Sequence, residues 1–209
     1  DISFSVPTGN FGDIYAGYIA KKMGLPINKL IVATNENDIL QRVINTGEYK
    51  PKKVKSSISP SMDIQVASNF ERLLFYIVGE DDQRVSLLMD LLSKEGFFKL
   101  DQSEIEKIKK DFEAVKINDE VTQTIIKNIN DEFKFILDPH TATGFGAAKK
   151  IKGLENIVVL GTAHPFKFSD TVKKATGKNL EAPSHLKMDV DKKEKFDIIE
   201  NSSSQVKNY

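Results

Sequence analysis

The chain contains 209 residues, of which 40% are hydrophobic, so it can bury a sizeable core as one large domain or as part of a larger enzyme. Its 30 basic and 30 acidic residues cancel, which argues against a nucleic-acid partner because such a surface needs a positive excess. The chain has no cysteine, which excludes disulfides and thiolate metal sites and favours a reducing, cytoplasmic location, and no apolar run has the length of a membrane span.

The first predicted element is a strand that leads into a glycine-containing loop. Ile2, Phe4 and Val6 alternate with serines, which is the period of a strand, and the proline that follows lacks the N–H needed for further pairing. The loop occupies residues 8–13 (TGNFGD), and apolar residues at helical spacing then predict a helix that stops before residue 27. The order is therefore strand, glycine loop, helix.

A loop of this kind can bind a phosphate group. The first N–H groups of a helix lack partners and carry the positive end of its dipole, so they suit a dianion. Gly9 and Gly12 can adopt positive φ angles and leave room for an anion to approach the backbone. The loop matches neither the dinucleotide motif nor the nucleoside-triphosphate motif, which favours a smaller phosphorylated ligand. A tight turn that binds nothing is the alternative that these residues leave open.

Later apolar segments predict a parallel sheet covered by helices. Residues 30–33 (LIVA) and 157–160 (IVVL) are runs typical of strands buried on both faces, and the first completes a β-α-β unit. The predicted fold class is α/β, with three parallel strands of an incomplete doubly wound sheet. Its edges would be exposed, so we expect the missing part to precede residue 1. Stripes at helical spacing predict core-facing helix sides at Phe70, Leu73, Leu74 and Ile77, at Leu87, Leu88, Leu91 and Leu92, at Ile105, Ile108 and Phe112, and at Val121, Ile125 and Ile129.

Two further helices are predicted in the last third of the chain. Asp138 is placed to cap a helix over residues 139–150, which begins with a proline. Gly144 and Gly146 weaken this helix by roughly 1 kcal/mol each relative to alanine, which indicates close packing against a neighbouring element. A shorter helix is predicted over residues 169–176, and the glycine that follows marks its end.

Taken with the phosphate loop, five further segments resemble the threonine synthase family. The order and spacing of these segments, over residues 3 to about 175, make the resemblance specific, and the helical middle resembles the longer, fungal-type form. The last thirty residues match poorly and carry no argument. The segments are residues 33–38 (ATNEND), 59–64 (SPSMDI), 68–72 (SNFER), 138–142 (DPHTA) and 161–165 (GTAHP), the last followed by Lys167 and Phe168.

The resemblance implies a fold and a division of the chain. The fold is that of the fold type II pyridoxal-phosphate enzymes, which resemble the tryptophan synthase β subunit, with a helical insertion. Residues 1–50 would form the phosphate-binding βαβ part of the large cofactor domain, and residues 51–135 a mainly helical insertion of the same domain. Residues 136–180 would supply its closing strand and helices, and residues 181–209 a polar tail with a frayed end.

The resemblance also assigns the loop a ligand, the phosphate of pyridoxal 5'-phosphate. By motif, the cofactor-binding positions are Gly9, Asn10, Phe11 and Asp13, and Gly12 completes the loop. Main-chain N–H groups would hold the phosphate oxygens, and the Asn10 side chain would add a donor. The Asp13 carboxylate would repel a phosphate, so we expect it to cap the helix or to orient the loop.

Thr162 is the last cofactor-binding residue that the resemblance implies. It follows the third predicted strand, at the end where open α/β sheets place their ligands. In the family this threonine faces the pyridine nitrogen, where a hydroxyl can donate a hydrogen bond to the unprotonated ring and so tune the cofactor as an electron sink. A threonine that merely ends a strand is the alternative.

The activity implied is the conversion of O-phospho-L-homoserine and water into L-threonine and phosphate, a β,γ-elimination and replacement by a lyase. In the family the lysine that binds the cofactor lies upstream of the phosphate loop, and Lys167 is not that lysine. We therefore expect no catalytic residue in this chain, no activity from it alone, and a need for the missing N-terminal half. A threonine-synthase-like protein that binds a phosphorylated ligand, or acts as a phospho-lyase, without making threonine is the alternative.

The remaining polar residues carry weaker signals. The three histidines have no metal-ligand spacing, so no metal site is predicted. His164 is expected to pack beside the site rather than to transfer protons. Asn69 and Arg72 could reach an anionic substrate but are not assigned to the site, because an arginine on an amphipathic helix is more often solvated or ion-paired. No oligomeric state is predicted.

Overall fold

The computed structural model describes residues 2–184 and 192–209. None of the helices it describes is long and apolar enough to cross a membrane. The strands are β1 (Ile2–Pro7), β2 (Ile27–Thr34), β3 (Glu48–Tyr49), β4 (Phe98–Lys99), β5 (Phe112–Lys116) and β6 (Ile157–Val159). The helices are α1 (Gly12–Lys22), α2 (Ile39–Thr46), α3 (Phe70–Ile77), α4 (Asp82–Glu95), α5 (Gln102–Asp111), α6 (Asp119–Phe133), α7 (Pro139–Lys150), α8 (Ser169–Thr176) and α9 (Ser203–Asn208), and 3₁₀ helices span Pro60–Met62 and Pro165–Phe168.

A four-stranded parallel sheet in the order β5-β2-β1-β6 forms the centre of the molecule. β1 lies between β2 and β6, with Val6 opposite Val32 on one side and Ser5 opposite Val159 on the other. Because parallel strands end at the same edge, the chain segments that follow β1, β2 and β6 meet there. The α/β class and the three predicted strands are confirmed.

The sheet contains one strand that the sequence pattern does not reveal. β5 pairs with β2, and its first residue, Phe112, lies opposite Leu30. The helical stripe predicted to include Phe112 ends one residue earlier, because α5 stops at Asp111. Ile105, Ile108 and Phe112 are spaced i, i+3 and i+7, so a helical period runs across the boundary between α5 and β5 and conceals it.

Helices cover both faces of the sheet. On one face Leu30 and Val32 belong to the main core, which contains buried side chains from α1, α2, α3 and α5. On the other face Ile31 and Ala33 pack against Ala147 of α7. Alternate residues of β2 thus point to opposite, covered faces, which explains its uninterrupted apolar run. The sheet is doubly wound, as predicted.

Helix α7 has the predicted bounds, and its glycines pack closely as expected. A Cβ atom at Gly144 would lie 3.2 Å from the Pro7 ring in β1, and a Cβ atom at Gly146 would lie 2.7 Å from the Ile125 side chain in α6. A larger residue at Gly144 would press on the rigid Pro7 ring, whereas one at Gly146 would require the end of the Ile125 side chain to move. Gly144 therefore lets the middle of α7 lie close to the end of β1.

Some predicted features differ from the structure. Leu87, predicted to face the core, is 51% exposed, whereas Leu88 beside it is buried. In the predicted tail, residues 185–191 lie outside the described residues, and Ser203–Asn208 form α9 rather than a frayed end. β5 falls within residues 51–135, the range assigned to a helical insertion. The boundaries of the four predicted parts stay a prediction.

Candidate anion-binding site

The loop between β1 and α1 lies at the carboxyl end of the sheet. The Thr8 N–H donates to the Ala33 carbonyl at 2.8 Å, and the Thr8 hydroxyl donates to the Val6 carbonyl at 2.6 Å. α1 then begins at Gly12, with Phe11 as its N-cap residue, and no side chain caps it. The N-terminal N–H groups of α1 are therefore left for another acceptor.

Phe11, rather than a glycine, adopts the left-handed conformation in this loop. Its φ angle is 68°, whereas neither Gly9 nor Gly12 has a positive φ, so the loop does not use the conformational freedom that the two glycines offer. The Phe11 ring is fully buried, with ring centroids 5.3 Å from Phe70 and 5.7 Å from Phe112. Packing of the ring offsets the cost of the backbone conformation. The Phe11 side chain thus belongs to the core, whereas its main chain forms part of the loop.

Gly9 is required by a close approach between two segments of main chain. A Cβ atom at this position would lie 2.9 Å from the Ser61 carbonyl oxygen and 3.0 Å from the Met62 Cα. Main-chain atoms cannot rotate away as the end of a side chain can, so the contact excludes a larger residue. At Gly12 a Cβ atom would make an ordinary contact, 3.5 Å from the Asn69 side chain. The loop is therefore held against the first 3₁₀ helix at Gly9.

The loop presents a row of free donors. The main-chain N–H groups of residues 9–13 donate to no protein acceptor among the residues that the structure describes. They stand at the N-terminus of α1, an 11-residue helix whose dipole adds positive potential there. Such a set of N–H groups is suited to a phosphate or a similar anion.

The Asn10 side chain has a defined orientation. Its Oδ1 atom accepts hydrogen bonds from the Ser68 N–H at 2.7 Å and from the Ser68 hydroxyl at 2.9 Å. A main-chain N–H can only donate, so it is the amide oxygen that faces Ser68 and the amide nitrogen that points elsewhere. The Asn10 carbonyl also accepts from the Asn69 N–H at 3.3 Å. Asn10 can therefore offer its Nδ2 group to an anion in the loop.

The loop lines a cavity of about 310 Å³ together with the segment that follows β6. This volume lies at the lower end of the range of about 300–1,000 Å³ found for small-molecule sites. Asn10 and Thr162 line the same cavity, a placement that the predicted cofactor site requires. The structure thus brings together all the residues predicted for the site: Gly9, Asn10, Phe11, Gly12, Asp13 and Thr162.

Eight further residues of this cavity were not assigned to the site from the sequence. Except for Pro7, they lie in the segments that carry the family resemblance or, in the case of Lys167, directly follow one, so membership of those segments was the signal that could have found them. Their side chains are less diagnostic than a glycine loop, because a serine, a methionine or a histidine in a loop has many structural uses. They are Pro7, Thr8, Ser61, Met62, Asn69, His140, Ala163 and Lys167.

His140 links two walls of the cavity. Its Nδ1 atom lies 3.1 Å from the Asp138 carboxylate, and its Nε2 atom accepts a hydrogen bond from the Ser61 N–H at 3.2 Å. Ser61 N–H is a donor, so Nε2 is unprotonated and the proton resides on Nδ1. His140 is only 3% exposed. This neutral tautomer ties the N-terminus of α7 to the first 3₁₀ helix.

Asp138 keeps the charge that this arrangement needs. Burial by itself raises the pKa of Asp138, but hydrogen bonds from the His140 and Thr141 side chains and N–H groups outweigh it and hold the pKa below its ordinary value. The carboxylate also caps α7, as the sequence predicts. Asp138 therefore serves as helix cap and as anchor of His140.

A second hydrogen-bond network, centred on Asp63, holds the first 3₁₀ helix in place. The Asp63 Oδ1 atom accepts hydrogen bonds from Asn35 Nδ2 at 2.8 Å, from Asn37 Nδ2 at 2.9 Å and from the Ser57 hydroxyl at 2.6 Å. Asn35 and Asn37 follow β2 and are buried. The network ties residues 57–63 to the carboxyl end of β2, so this wall is positioned by the sheet itself.

Asp13 and Arg72 are two further charged candidates. Asp13 is exposed in the first turn of α1 and caps no N–H group, so the expected helix cap is not observed, although a carboxylate there favours the helix dipole. Arg72, which was not assigned to the site, lies 5.9 Å from the centroid of the Tyr15 ring and lines a neighbouring cavity. The described residues contain no group of side chains able to hold a metal ion.

The fold and the cavity define a class: a doubly wound α/β domain with an anion-binding loop at the first crossing from strand to helix. The family model described as "Threonine synthase, C-terminal" matches residues 141–209. In sequence and in fold the chain matches the C-terminal portion of threonine synthases, and the resemblance is confirmed. The match includes the last thirty residues, whose sequence alone matches the family poorly.

Individual relatives extend this match over nearly the whole chain. The chain is 41% identical over 208 residues to a threonine synthase of Pseudomonas aeruginosa, covering 98% of this chain and 44% of that protein. It is 45% identical over 193 residues to a threonine synthase of Saccharomyces cerevisiae, and this match covers 83% of this chain and 38% of the yeast protein. A crystal structure of a PLP-bound threonine synthase from Brucella melitensis is similar with a TM-score of 0.93 and 44% identity, covering 100% of this chain and 45% of that one. The chain thus spans less than half the length of these relatives.

Proposed function

We propose that this chain is the C-terminal portion of a threonine synthase that converts O-phospho-L-homoserine and water into L-threonine and phosphate with pyridoxal 5'-phosphate. The observation that carries the proposal is the meeting of the free N–H groups of residues 9–13, the Asn10 carboxamide and Thr162 in one cavity. Similarity to threonine synthases over nearly the whole chain supports it.

The residues present fit the cofactor. The loop offers N–H donors and the Asn10 Nδ2 group, which complement a phosphate dianion. The Thr162 hydroxyl makes no hydrogen bond within the described residues and is free to donate to a ring nitrogen. A carboxylate there would favour the protonated ring, whereas a hydroxyl leaves it neutral. Gly9, Asn10, Phe11, Gly12, Asp13 and Thr162 are accordingly proposed as the cofactor-binding residues.

The part of the reaction that these residues perform is binding and positioning. When bound, pyridoxal phosphate supplies the electron sink that makes carbanion chemistry possible near neutral pH. The N–H groups of residues 9–13 hold one end of the ligand, and the Thr162 hydroxyl orients the other. The His140 and Asp63 networks keep the cavity walls at a fixed separation, so the bound geometry is set before the substrate arrives. The lysine that moves protons at the substrate is assigned to the upstream segment that the relatives contain.

The proposal includes the wider organisation of the protein. The chain would act with an N-terminal segment of the same polypeptide, because its relatives are more than twice as long. Residues 1–50, 51–135 and 136–180 would be parts of one cofactor domain, followed by the tail at 181–209. The lack of cysteine supports a cytoplasmic location.

The test uses the full-length protein loaded with pyridoxal phosphate. We expect an absorbance band from lysine-bound cofactor, and release of phosphate from O-phospho-L-homoserine with formation of one threonine per phosphate. The 209 residues expressed alone serve as the control and should form no threonine. A colourless, inactive full-length protein would contradict the proposal, and phosphate release without threonine would favour the phospho-lyase alternative.

A further inference from the structure

Lys167 is a cation of the cavity wall that has no ionic partner among the residues that the structure describes. It lies in the second 3₁₀ helix and lines the same cavity as the loop at residues 8–13. Within the described part of the chain its ammonium group forms neither an ion pair nor a hydrogen bond, and it lies 5.7 Å from the centroid of the Phe168 ring. Asp170, three residues further on, makes no ion pair with it there. An exposed ammonium group at the edge of a cavity is available to an anionic ligand.

The backbone beneath Lys167 is held in place. The Lys167 N–H donates to the His164 carbonyl at 3.1 Å, and the Phe166 N–H donates to the His164 Nδ1 atom at 3.2 Å. The Phe168 ring lies 4.7 Å from the ring of His140, which is itself fixed by hydrogen bonds. Lys167 therefore belongs to the wall formed by α7 and the second 3₁₀ helix, and not to the amide loop.

The proposed reaction brings two phosphate groups to this cavity, one on the cofactor and one on the substrate. Each carries a charge of about −1.5 to −2 near neutral pH, so the two repel each other and cannot share the donors of residues 9–13. The second group needs a cation of its own. Among the described residues that line the cavity, Lys167 carries the permanent positive charge, whereas Asp13 carries a negative one.

We propose that Lys167 binds the phosphate group of the phosphomonoester substrate, and inorganic phosphate after its release, at a subsite separate from the amide loop. This inference rests on the proposed function, from which it takes the substrate. Lys167 acts by charge and hydrogen bonding to the leaving group and transfers no proton.

The test compares K167A and K167R in the full-length, cofactor-loaded protein, with K173A as the matched control. Lys173 is an exposed lysine of α8 that does not line the cavity. We expect K167A to raise both the KM for O-phospho-L-homoserine and the inhibition constant of inorganic phosphate about tenfold, with kcat changed less than about threefold and the cofactor dissociation constant unchanged. K167R should retain phosphate binding within about threefold, because a guanidinium group also pairs with phosphate. K173A should change none of these values.

Two results would overturn the inference. One is unchanged phosphate inhibition in K167A. The other is a loss of cofactor affinity in K167A as large as its loss of phosphate affinity, which would place Lys167 on the cofactor phosphate instead. Binding of inorganic phosphate to the cofactor-loaded protein, followed by ³¹P NMR, separates this inference from the proposed function. If no threonine forms but the binding of inorganic phosphate still depends on Lys167, the subsite is supported and the proposed reaction is contradicted. If the wild-type protein binds no inorganic phosphate, the subsite is contradicted.

Discussion

Asn10 illustrates how a single side chain of this site acquires a definite chemical role. A carboxamide carries an acceptor and a donor at similar positions, so its contribution to an anion site depends on which end faces the ligand. Ser68 decides this, because both its N–H and its hydroxyl point at the Asn10 oxygen. The donor end is left for the loop. Ser68 is thus a positioning residue for Asn10.

We predict that S68A in the full-length protein weakens pyridoxal-phosphate binding about threefold to fivefold. One of two hydrogen bonds that orient Asn10 is lost, while the N–H of residue 68 remains, and a single hydrogen bond contributes about 0.5–1.5 kcal/mol. A fluorescence or absorbance titration of the cofactor-free protein measures the change. S68T should retain the affinity, and S86A, at an exposed serine of α4, is the control. An unchanged dissociation constant for S68A would show that Asn10 is oriented by other contacts.

Among the elements, α7 connects the core of the sheet to the cavity. Its glycines allow close packing on β1 and α6, and its cap, Asp138, fixes His140 against Ser61. The charge of one carboxylate therefore supports a helix terminus and a cavity wall together. Because hydrogen bonds hold the pKa of this carboxylate below its ordinary value, the stability of this element depends on pH.

We predict that D138N lowers the free energy of unfolding by about 1.5–3 kcal/mol at pH 7, the range for hydrogen bonds to a charged group. Burial raises the pKa of Asp138, but the hydrogen bonds from His140 and Thr141 bring it below the ordinary value of 3.8. The stabilisation is therefore complete above the ordinary value and is lost as the pH falls through the lower pKa of the folded state.

The difference between wild type and D138N should accordingly shrink below about pH 4, near the ordinary pKa of an aspartate. Urea unfolding of the full-length protein at a series of pH values measures it. D90N is the control, because Asp90 forms an exposed pair with Lys94 on α4. A difference for D138N that stays constant down to pH 3 would show that the carboxylate acts without its charge.

At the scale of the whole molecule, β6 forms an open edge of the sheet in the part of the chain that the structure describes. Within the described residues β6 pairs with β1 on one side, and its central residue, Val158, is 43% exposed. Ile2, at the start of the neighbouring strand, is also 46% exposed. Exposed edges of this kind promote association, and proteins normally cover them. An edge of this kind agrees with the proposal that the chain acts with a further segment of the same polypeptide.

We predict that V158K destabilises the full-length protein by about 1–3 kcal/mol, because the further segment would bury this position and a lysine there would lose hydration. Chemical unfolding at neutral pH measures the effect. L87K is the matched control, since Leu87 is 51% exposed on α4, away from the sheet edge, and its change should stay within about 0.5 kcal/mol. Equal effects of the two substitutions would mean that the β6 edge is not covered.

The sequence by itself determined the features that depend on neighbouring residues. The alternation in β1, the apolar run of β2, the proline and cap of α7 and the glycine loop are local patterns, and they place the anion site at the first strand-to-helix crossing. The family resemblance rests on short motifs of the same kind, which is why Thr162 could be assigned to the cavity of Asn10.

Only the tertiary structure decided the features that depend on contacts between distant residues. Phe11 holds a positive φ because Phe70 and Phe112 bury its ring, and Gly9 is required by the main chain at Ser61. The partner of Asn10 lies 58 residues away. β5 belongs to the sheet because β2 pairs with it, although its own residues continue a helical period. Such contacts form between segments that the fold brings together, and no local pattern encodes them.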